Sequence, residues 1–390
     1  MYKEVSLRTT VSLVTCQDYQ EKAVHEKLKE AVDLLGGMHR YVSPGEKVLL
    51  KPNLCIGRPP EKCVNTHPLV IKSIARMVQE AGATPLIGDS PMLGLARNAA
   101  DKSGIGDVAR ELGVDLVEFE PMPVLNPEGK VFKTFTIGKI VKEVDKVINL
   151  PKLKTHALVL LTLGVKNIYG CIPGTRKAQG HVKTFKAGKE YFAQMILDLN
   201  VLVKPALTIV DGVMAMEGMG PGFGDPRHLG LFIAGTDCVA VDRVIAEIVN
   251  VPPEHDPILR VAINKGYGVG QLQDIAVVGE TIQDVSVTDF KLPQKEDMFD
   301  RIPTGLKRIL KRHLTDQPVI NQEKCEACEM CLKACPVDNV DREDGTLKID
   351  EHGCIQCLCC VEICPHAAID LVPGRLLKIY GTIRKRFGGC

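Results

Sequence analysis

The feature that most constrains this chain is a run of four cysteines that occurs twice near its end. The first run is CEACEMCLKACP at residues 325–336, and the second is CIQCLCCVEICP at residues 354–365. Both have the spacing C-x2-C-x2-C-x3-C-P, so the second run indicates an internal duplication of the first. A short segment with eight regularly spaced thiols is typical of a compact module that folds around bound metal.

The spacing also indicates which metal group the module binds. Three thiolates at every third position can hold three irons of a cubane, and the fourth ligand then comes from the other run. We therefore predict two 4Fe-4S clusters with crossed ligand sets. The first set is Cys325, Cys328, Cys331 and Cys364, and the second set is Cys354, Cys357, Cys360 and Cys335.

A zinc ribbon is the alternative explanation for clustered cysteines. Zinc needs only four ligands, which usually come as two CxxC pairs, and the eight cysteines exceed that need. Cys359 lies inside the second run but out of phase with it. We interpret it as a packing residue and leave a role as a substitute ligand open.

Residues 323–372 resemble the bacterial-type two-cluster ferredoxins, because both runs have the ferredoxin spacing and the second continues as PHAAI at 365–369. The first repeat departs from the pattern with Asn339 in place of the usual alanine, and the segment between the runs is long. The resemblance implies a small α+β iron–sulfur module over 321–372, whose two close clusters pass electrons to a redox partner protein. Within the long segment, Asp344-Gly345 predicts a hairpin turn.

Composition describes a globular protein of a reducing compartment. The 390 residues are 45% apolar and 25% charged, which suits two or three domains. A net charge of +1, 4% aromatic residues and no tryptophan predict that nucleic acid is not a partner. The longest apolar stretch, residues 157–165, is too short for a membrane span, and no signal peptide is visible. With fifteen cysteines, we predict a cytoplasmic protein whose thiols serve metal or redox chemistry.

Residues 1–290 alternate apolar strand runs with amphipathic helices. This alternation predicts an α/β domain with a mostly parallel sheet flanked by helices. Helical spacing is clearest at 24–35 and at 66–81, where Pro68 lies in the first turn. The predicted strands are 11–15, 47–50, 84–87, 114–117, 144–150, 207–210, 230–234 and 274–278, with a hairpin over 130–137.

Polar residues follow these strands, at the edge of the sheet where open α/β folds bind ligands. We predict a cleft there for an anionic small molecule, a phosphate-bearing cofactor or a metal held by carboxylates. Lys154 and His156 are the candidate catalytic residues, because an extended backbone would point them the same way. The candidate ligand-binding residues are Lys51, Asn53, Asp89, Lys152, Lys166, Asp211, Glu217 and Gly220. Such residues also cap helices and form turns, so a purely structural role stays open.

Nucleotide and protease motifs are absent, since no G-x-G-x-x-G joins a strand to a helix and there is no Walker loop or HExxH. Three other motifs are KPN at 51–53, KLKTH at 152–156 and DG…EGMGP at 211–221. They resemble the family called domain of unknown function 362, with a likeness that covers residues 45–280. Members often carry a C-terminal ferredoxin module, so the resemblance implies that the two parts of the chain belong together and leaves the substrate open.

Two basic segments flank the iron–sulfur module. Residues 291–320 carry an apolar stripe from Leu306 to Leu314 among basic residues, which predicts an amphipathic linker helix. The tail at 373–390 has five basic residues and no acidic residue.

Three functions are consistent with these patterns. In the first, the clusters relay low-potential electrons and the α/β domain binds a partner or ligand. In the second, an oxidoreductase acts on an anionic substrate in the α/β cleft, where Asp211 and Glu217 hold a metal or hydrogen bonds and Cys55 and Cys63 are open to a redox role. In the third, the clusters only stabilise the module. A closely spaced pair of clusters favours electron transfer.

Overall fold

The computed structural model describes residues 9–91, 95–174, 176–177, 188–293, 317–335, 337–350, 353–354, 359–366 and 368–372. The chain separates into two compact units, Met1–Pro293 and Gln294–Cys390. The apolar stripe of the predicted linker helix (291–320) lies outside the described residues, as does the basic tail at 373–390. Within the described ranges, every helix is too short or too polar to cross a membrane.

The first unit is built on one ten-stranded sheet. Its strands lie in the spatial order β12-β1-β11-β10-β7-β2-β3-β4, with β8 beside β10 and β9 beside β8, while β5 and β6 form a separate hairpin. The strands are β1 Thr9–Thr15, β2 Lys47–Pro52, β3 Thr84–Ile87, β4 Asp115–Leu116, β5 Pro121–Leu125, β6 Thr134–Gly138, β7 Lys146–Leu150, β8 Lys152–His156, β9 Leu160–Thr162, β10 Leu207–Glu217, β11 Asp225–Gly235 and β12 Ile275–Gly279.

Most neighbouring strands of this sheet are parallel, which confirms the predicted α/β fold. The main exception is β11, which runs antiparallel to both β1 and β10. β10 and β11 have 11 residues each and are longer than the predicted runs at 207–210 and 230–234, because their backbone pairing continues beyond the apolar residues. The predicted hairpin over 130–137 is shifted, since β6 pairs with the earlier β5.

Helices lie along the chain between the strands. α2 begins where Pro68 indicated, with the His67 side chain accepting the Leu69 N–H. Asp237, which follows a strand, is a helix cap, because its side chain accepts N–H groups at the start of α8. The helices are α1 Glu21–Asp33, α2 Pro68–Glu80, α3 Ala96–Lys102, α4 Ile105–Leu112, α5 Ile140–Glu143, α6 Gly164–Asn167, α7 Lys189–Val203, α8 Cys238–Ile248, α9 Pro257–Lys265 and α10 Ile282–Val285.

The sheet is buried on both faces. Val48 and Leu50 of β2 pack in one apolar cluster with residues of α1 and α2, and Leu49 packs in the opposite cluster with residues of α7 and α8. All three side chains are fully buried, as expected for a central parallel strand. Because both faces are apolar, a polar side chain inside this sheet needs a hydrogen-bond or ion-pair partner.

The second unit is small and of the α+β type, as predicted. β13 pairs with β16 and β14 pairs with β15, both antiparallel. Asp344 and Gly345 have φ of 47° and 80° at the β14–β15 turn, which confirms the predicted hairpin. The elements are β13 Gln317–Ile320, α11 Met330–Ala334, β14 Val340–Glu343, β15 Thr346–Ile349, α12 Cys359–Ile363 and β16 Ile369–Val372.

Candidate functional site

Cysteines from both runs line a single pocket in the second unit. The four thiols are those of the first predicted ligand set, Cys325, Cys328, Cys331 and Cys364. Apolar side chains complete the lining, and they include Ile320 and Leu347, while Glu326 and His366 lie at the same pocket. Three predicted ligands from one run and one from the other thus line the same pocket, as a cubane with crossed ligands would require.

Each of the two repeats contains a backbone N–H that donates to a cysteine sulfur. The Asn339 N–H donates to Cys335 Sγ, and the Ala368 N–H donates to Cys364 Sγ, each at 3.2 Å. In both cases the donor lies four residues after the last cysteine of its run. N–H donors to ligand sulfur stabilise the negative charge of an iron–sulfur cluster and tune its potential. The internal duplication is therefore visible in the geometry as well as in the spacing.

The chemistry of the thiols also suits an iron–sulfur cluster. Burial, with a smaller contribution from the nearby cysteines, raises the pKa of the Cys331 thiol to about 11. Such a thiol becomes a thiolate when metal ions supply compensating positive charge. The described residues include no group of three or more His, Cys, Asp or Glu side chains that could hold one metal ion. In a cubane each thiolate binds its own iron, so the ligands surround the group without converging on a single point.

The second predicted ligand set is described in part. Cys335 and Cys354 are partly exposed and Cys360 is buried, while Cys357 lies outside the described residues. Cys359 is fully buried, which suits its interpretation as a packing residue. The assignment of this set remains a prediction.

Asn339, the residue that departs from the ferredoxin pattern, connects two members of the second set. Its side-chain amide donates to Asp350 O at 2.5 Å, and Asp350 N–H donates to Asn339 O at 3.3 Å. Asp350 O in turn accepts the Cys354 N–H at 3.2 Å. A Cβ atom on Gly353 would overlap Asn339 Oδ1, so the glycine allows this close approach. Asn339 therefore holds the Cys335 loop against the loop that carries Cys354.

In the α/β unit, the sheet order changes direction at β2. β3 and β4 lie on one side of β2, and β7 lies on the other. Ligands of open α/β folds bind at such a switch point, beyond the carboxyl ends of the strands. Lys51 and Asn53 lie at the carboxyl end of β2, and Lys152 follows β7. The predicted site residues thus begin at the position where the fold places ligand sites.

Lys51 forms a buried ion pair at this edge. Its Nζ lies 2.8 Å from Asp89 Oδ1, and both side chains are almost completely enclosed. Asp89 Oδ2 also accepts the Leu54 N–H at 2.8 Å. A Cβ atom on Gly170 would overlap both Asp89 Oδ1 and Lys51 Nζ. Gly170 is therefore required for the backbone to lie against the ion pair.

Lys154 belongs to a buried chain of amides. Its Nζ donates to Asn53 Oδ1 and to Val64 O, each at 2.8 Å. Asn53 Nδ2 donates to Asn167 Oδ1 at 2.9 Å, and Asn167 Nδ2 donates to Asn149 Oδ1 at 2.8 Å. Lys154 is only 1% exposed, so its ammonium fixes the relative positions of β2 and β8.

Lys152 and Asp211 form a second buried ion pair, 2.9 Å apart. Asp211 was expected just after a strand but lies inside β10. The Tyr19 hydroxyl donates to Asp211 Oδ1 at 2.6 Å and accepts from Lys152 Nζ at 2.8 Å. The His67 ring stacks on the Tyr19 ring with centroids 3.6 Å apart. The backbone N–H of His67 donates to Asp211 Oδ2 at 2.9 Å.

The sequence analysis missed Tyr19 and His67, because neither belongs to a motif or directly follows a predicted strand. Burial raises the pKa of Tyr19 well above its usual value, and Asp211 raises it further. Burial also lowers the pKa of His67 to about 4, so the imidazole is neutral at pH 7. A partly buried tyrosine and histidine thus cover a fully buried Lys–Asp pair.

The remaining predicted residues have other partners. Glu217 accepts the Lys291 N–H at 3.1 Å, and a Cβ atom on Gly220 would overlap the Thr155 backbone. Both residues therefore hold residues 217–220 against neighbouring segments. Lys166 Nζ lies 5.0 Å from the centre of the Tyr169 ring. His156 is 2% exposed, and its Nδ1 accepts the Leu158 N–H at 3.0 Å.

Lys177 is a further buried lysine that the sequence analysis missed, since it follows no strand. It is 7% exposed, and its Nζ donates to Ser90 O in the loop after β3. Burial lowers the pKa of Lys177 to about 8, with Asp89 opposing the shift and Lys51 and Lys166 adding to it. Cys63 is buried, whereas Cys55 is partly exposed.

Comparison with known proteins agrees with both parts of this description. A family model described as a domain of unknown function (DUF362) matches residues 48–247, and a model described as a 4Fe-4S dicluster domain matches residues 317–365. A thylakoid-associated protein of Synechocystis is 37% identical over 303 residues, which are 77% of this chain and 92% of that protein. Both resemblances drawn from the motifs are thereby confirmed, and the chain belongs to the DUF362 family and carries a 4Fe-4S dicluster domain.

Proposed function

We propose that this protein is an iron–sulfur electron carrier that relays low-potential electrons through two 4Fe-4S clusters. The observation that carries the proposal is the pocket lined by Cys325, Cys328, Cys331 and Cys364. Two clusters bound within one small module lie close together in space, so electrons can pass between them. A purely structural role would need only one metal group. The matched N–H···S bonds in both repeats support two equivalent cluster sites.

In this proposal the α/β unit binds a redox partner protein or an anionic ligand. Its support is the set of buried lysines and carboxylates at the carboxyl edge of the sheet. Lys154 and His156 remain candidates for proton transfer if the ligand is a substrate. Because both side chains are enclosed, a role in positioning other groups suits them better than direct contact with a ligand.

We place the protein in the cytoplasm as part of the same proposal. The relative in Synechocystis is named for its association with thylakoids. Separation of soluble and membrane fractions, with detection of the native protein, tests the placement. Recovery in the membrane fraction would contradict it.

The experiment that tests the electron-carrier proposal is a metal inventory of protein purified without oxygen. We expect about eight irons and eight sulfides per chain, with EPR signals of reduced 4Fe-4S clusters after reduction. Cys328→Ala should lose about half of the iron, because one cluster loses a ligand. Cys16→Ala, a buried cysteine of the α/β unit, is the control and should keep all of it.

Two outcomes would contradict the proposal. Zinc in place of iron would identify the module as a zinc site. Full iron and unchanged EPR signals in Cys328→Ala would show that the ligand assignment is wrong.

A further inference from the structure

The pocket lined by the first predicted ligand set has a buried wall and an exposed rim. Cys331 and Cys364 are buried, as are the apolar residues Ile320 and Leu347 of the same pocket. Cys328 also lines this pocket, and among the predicted ligand cysteines that the structure describes it is the one with an exposed side chain. A cluster held by this set would therefore come nearest to the surface at Cys328, where electrons would have their shortest path to a partner.

A polar pair lies at the same rim and connects the two repeats. Glu326 belongs to the first run and His366 follows the second run, and both line the pocket. Glu326 Oε1 lies 3.3 Å from His366 Nδ1, and the side chains are 71% and 29% exposed, respectively. The carboxylate of Glu326 is thus the more exposed member of the pair, beside the pocket and open to solvent.

The second repeat has apolar side chains at the equivalent positions. Glu326 follows the first cysteine of its run, and Ile355 holds that place in the second run. His366 lies two residues after the last cysteine of its run, and its counterpart Val337 is 36% exposed. The backbone N–H···S bonds of the two repeats are matched, whereas the side chains at these positions are not. An approaching partner would therefore meet a different surface at each cluster.

The charge of the module favours a cationic partner. Residues 317–372 contain eleven Asp or Glu residues and four Lys or Arg residues. Four thiolates around a cubane add further negative charge. A basic surface would be attracted to this module before contact, and an acidic surface would be repelled.

We infer that a redox partner with a cationic surface docks at the rim formed by Glu326, Cys328 and His366 and exchanges electrons with the cluster of the first ligand set. One electron passes from the reduced cluster to the oxidised centre of the partner, and no covalent bond forms or breaks. The second cluster then reduces the first. The inference rests on the proposed electron-carrier function. It places the docking of the partner on the iron–sulfur module and leaves ligand binding to the α/β unit.

The test measures how fast two cobalt(III) complexes oxidise the photoreduced full chain with its clusters. Hexaamminecobalt(III) is a trication, the cobalt(III) complex of EDTA is an anion, and each accepts one electron. Stopped-flow absorbance gives both rates at constant pH. A change in cluster potential moves both rates in the same direction, whereas a change in charge at the contact point moves them in opposite directions. The ratio of the two rates therefore reports the charge at the point of electron exchange.

The wild type should react faster with the trication, and added salt should weaken this preference because it screens surface charge. Glu326→Gln should lower the ratio by about five- to tenfold at about 0.01 M salt, as expected for the loss of one charge near the contact point. Asp344→Asn is the matched control. It removes an equal charge from the exposed β14–β15 turn, outside the pocket lining, where asparagine tolerates the φ of 47°. Its ratio should change by less than about twofold.

Val337→Glu distinguishes the two clusters. It adds a carboxylate two residues after Cys335, at the counterpart of His366. We expect a small change in the ratio, similar to that of the control. A rise as large as the fall in Glu326→Gln would show that the probes exchange electrons at the second cluster. That result would overturn the inference, as would a faster reaction with the anion in the wild type.

The midpoint potentials provide a second readout. A carboxylate beside a cluster opposes the added electron, so Glu326→Gln should raise the potential of one cluster and leave the other unchanged. EPR-monitored redox titration measures both potentials, and Asp344→Asn should leave both at their wild-type values. Equal potentials in Glu326→Gln and the wild type would contradict the position of Glu326 beside the first cluster.

Iron content and EPR spectra separate the failure of this inference from the failure of the proposed function. Absence of 4Fe-4S signals from the wild type would contradict the electron-carrier proposal itself. Full clusters together with an unchanged rate ratio in Glu326→Gln would contradict the docking site alone.

Discussion

The two units of this protein encode their polar sites in different ways. Cys325, Cys328, Cys331 and Cys364, which line the pocket of the second unit, lie in two short runs whose spacing alone predicts them as one ligand set. The network in the α/β unit is drawn from distant segments, since Tyr19 and Asp211 are 192 residues apart. A metal cluster needs ligands at fixed intervals along a loop, whereas a hydrogen-bonded network needs only the right groups at the right points in space. Motif spacing therefore predicts the metal cluster site but does not predict which residues join the hydrogen-bonded network.

The two regions also differ in what they lose when one member is removed. Removal of one cysteine leaves one iron of that cluster without a protein ligand, so that cluster becomes labile while the other keeps its four cysteines. A buried ion pair with one partner removed leaves a charge in an apolar environment, which destabilises the whole domain. The first loss is chemical and local, and the second is thermodynamic and spread over the fold.

The largest expected effect comes from Cys364→Ala. Although Cys364 belongs to the second run, its variant should lose the same cluster as Cys328→Ala, because both thiols line one pocket. We expect about half of the iron to be lost in each single variant and no further loss when both are combined. EPR spectra of the reduced proteins provide the measurement. A double variant that lost all its iron would show that the two cysteines serve different clusters.

The next effect concerns the buried pair in the α/β unit. Asp211→Ala leaves the Lys152 ammonium without its carboxylate, so the free energy of unfolding should fall by about 3–5 kcal/mol. Urea denaturation followed by circular dichroism measures this change. Asp289→Ala is the control, because the Asp289–Arg227 pair is largely exposed on the Asp289 side, and its stability should hardly change. Similar losses in both variants would mean that burial does not set the cost.

A smaller effect is expected from Asn339→Ala, which restores the residue that ferredoxins usually carry. The variant loses the hydrogen bond to Asp350 O, so the unfolding free energy of the module should fall by about 1 kcal/mol. The midpoint potential and EPR line shape of one cluster should change while the iron content stays full. Asn321→Ala, which removes a side-chain bond to Asp370, is the control. Equal spectra for wild type and Asn339→Ala would contradict the role of Asn339 as a connection between Cys335 and Cys354.

The smallest effect concerns acid stability. The pKa of His67 is about 4 in the folded protein and has its usual value of 6.5 in the unfolded chain. The unfolded state therefore binds more protons between these values, so the contribution of His67 is present above pH 6.5 and is lost as the pH falls toward 4. His67→Asn keeps a capping side chain and should reduce the slope of stability against pH in this window. An identical slope in the variant would show that His67 does not titrate there.

Much of this architecture could be predicted from the sequence. Apolar runs such as 84–87 gave a strand at the predicted bounds, and Pro68 marked the start of α2. The length of β10 and β11 could not be predicted, because cross-strand backbone pairing carries no side-chain pattern. Lys51, Lys152 and Lys154 were singled out from their positions after strands, and the structure places all three in buried polar contacts. Tyr19 and Lys177 were not, because only the tertiary fold brings them to the same edge.

The pocket lined by Cys325, Cys328, Cys331 and Cys364 has a consequence for the timing of cluster insertion during synthesis of the protein. Cys364 is the last thiol of the pocket to leave the ribosome, because it is the final cysteine of the second run. The first run alone therefore presents only three ligands, so a cluster inserted at that stage would keep one iron open to solvent or to another thiol. Delivery of iron and sulfide should be productive only after translation of the complete module. A nascent chain arrested before Cys364 would then be the form most exposed to wrong metals and to oxidation.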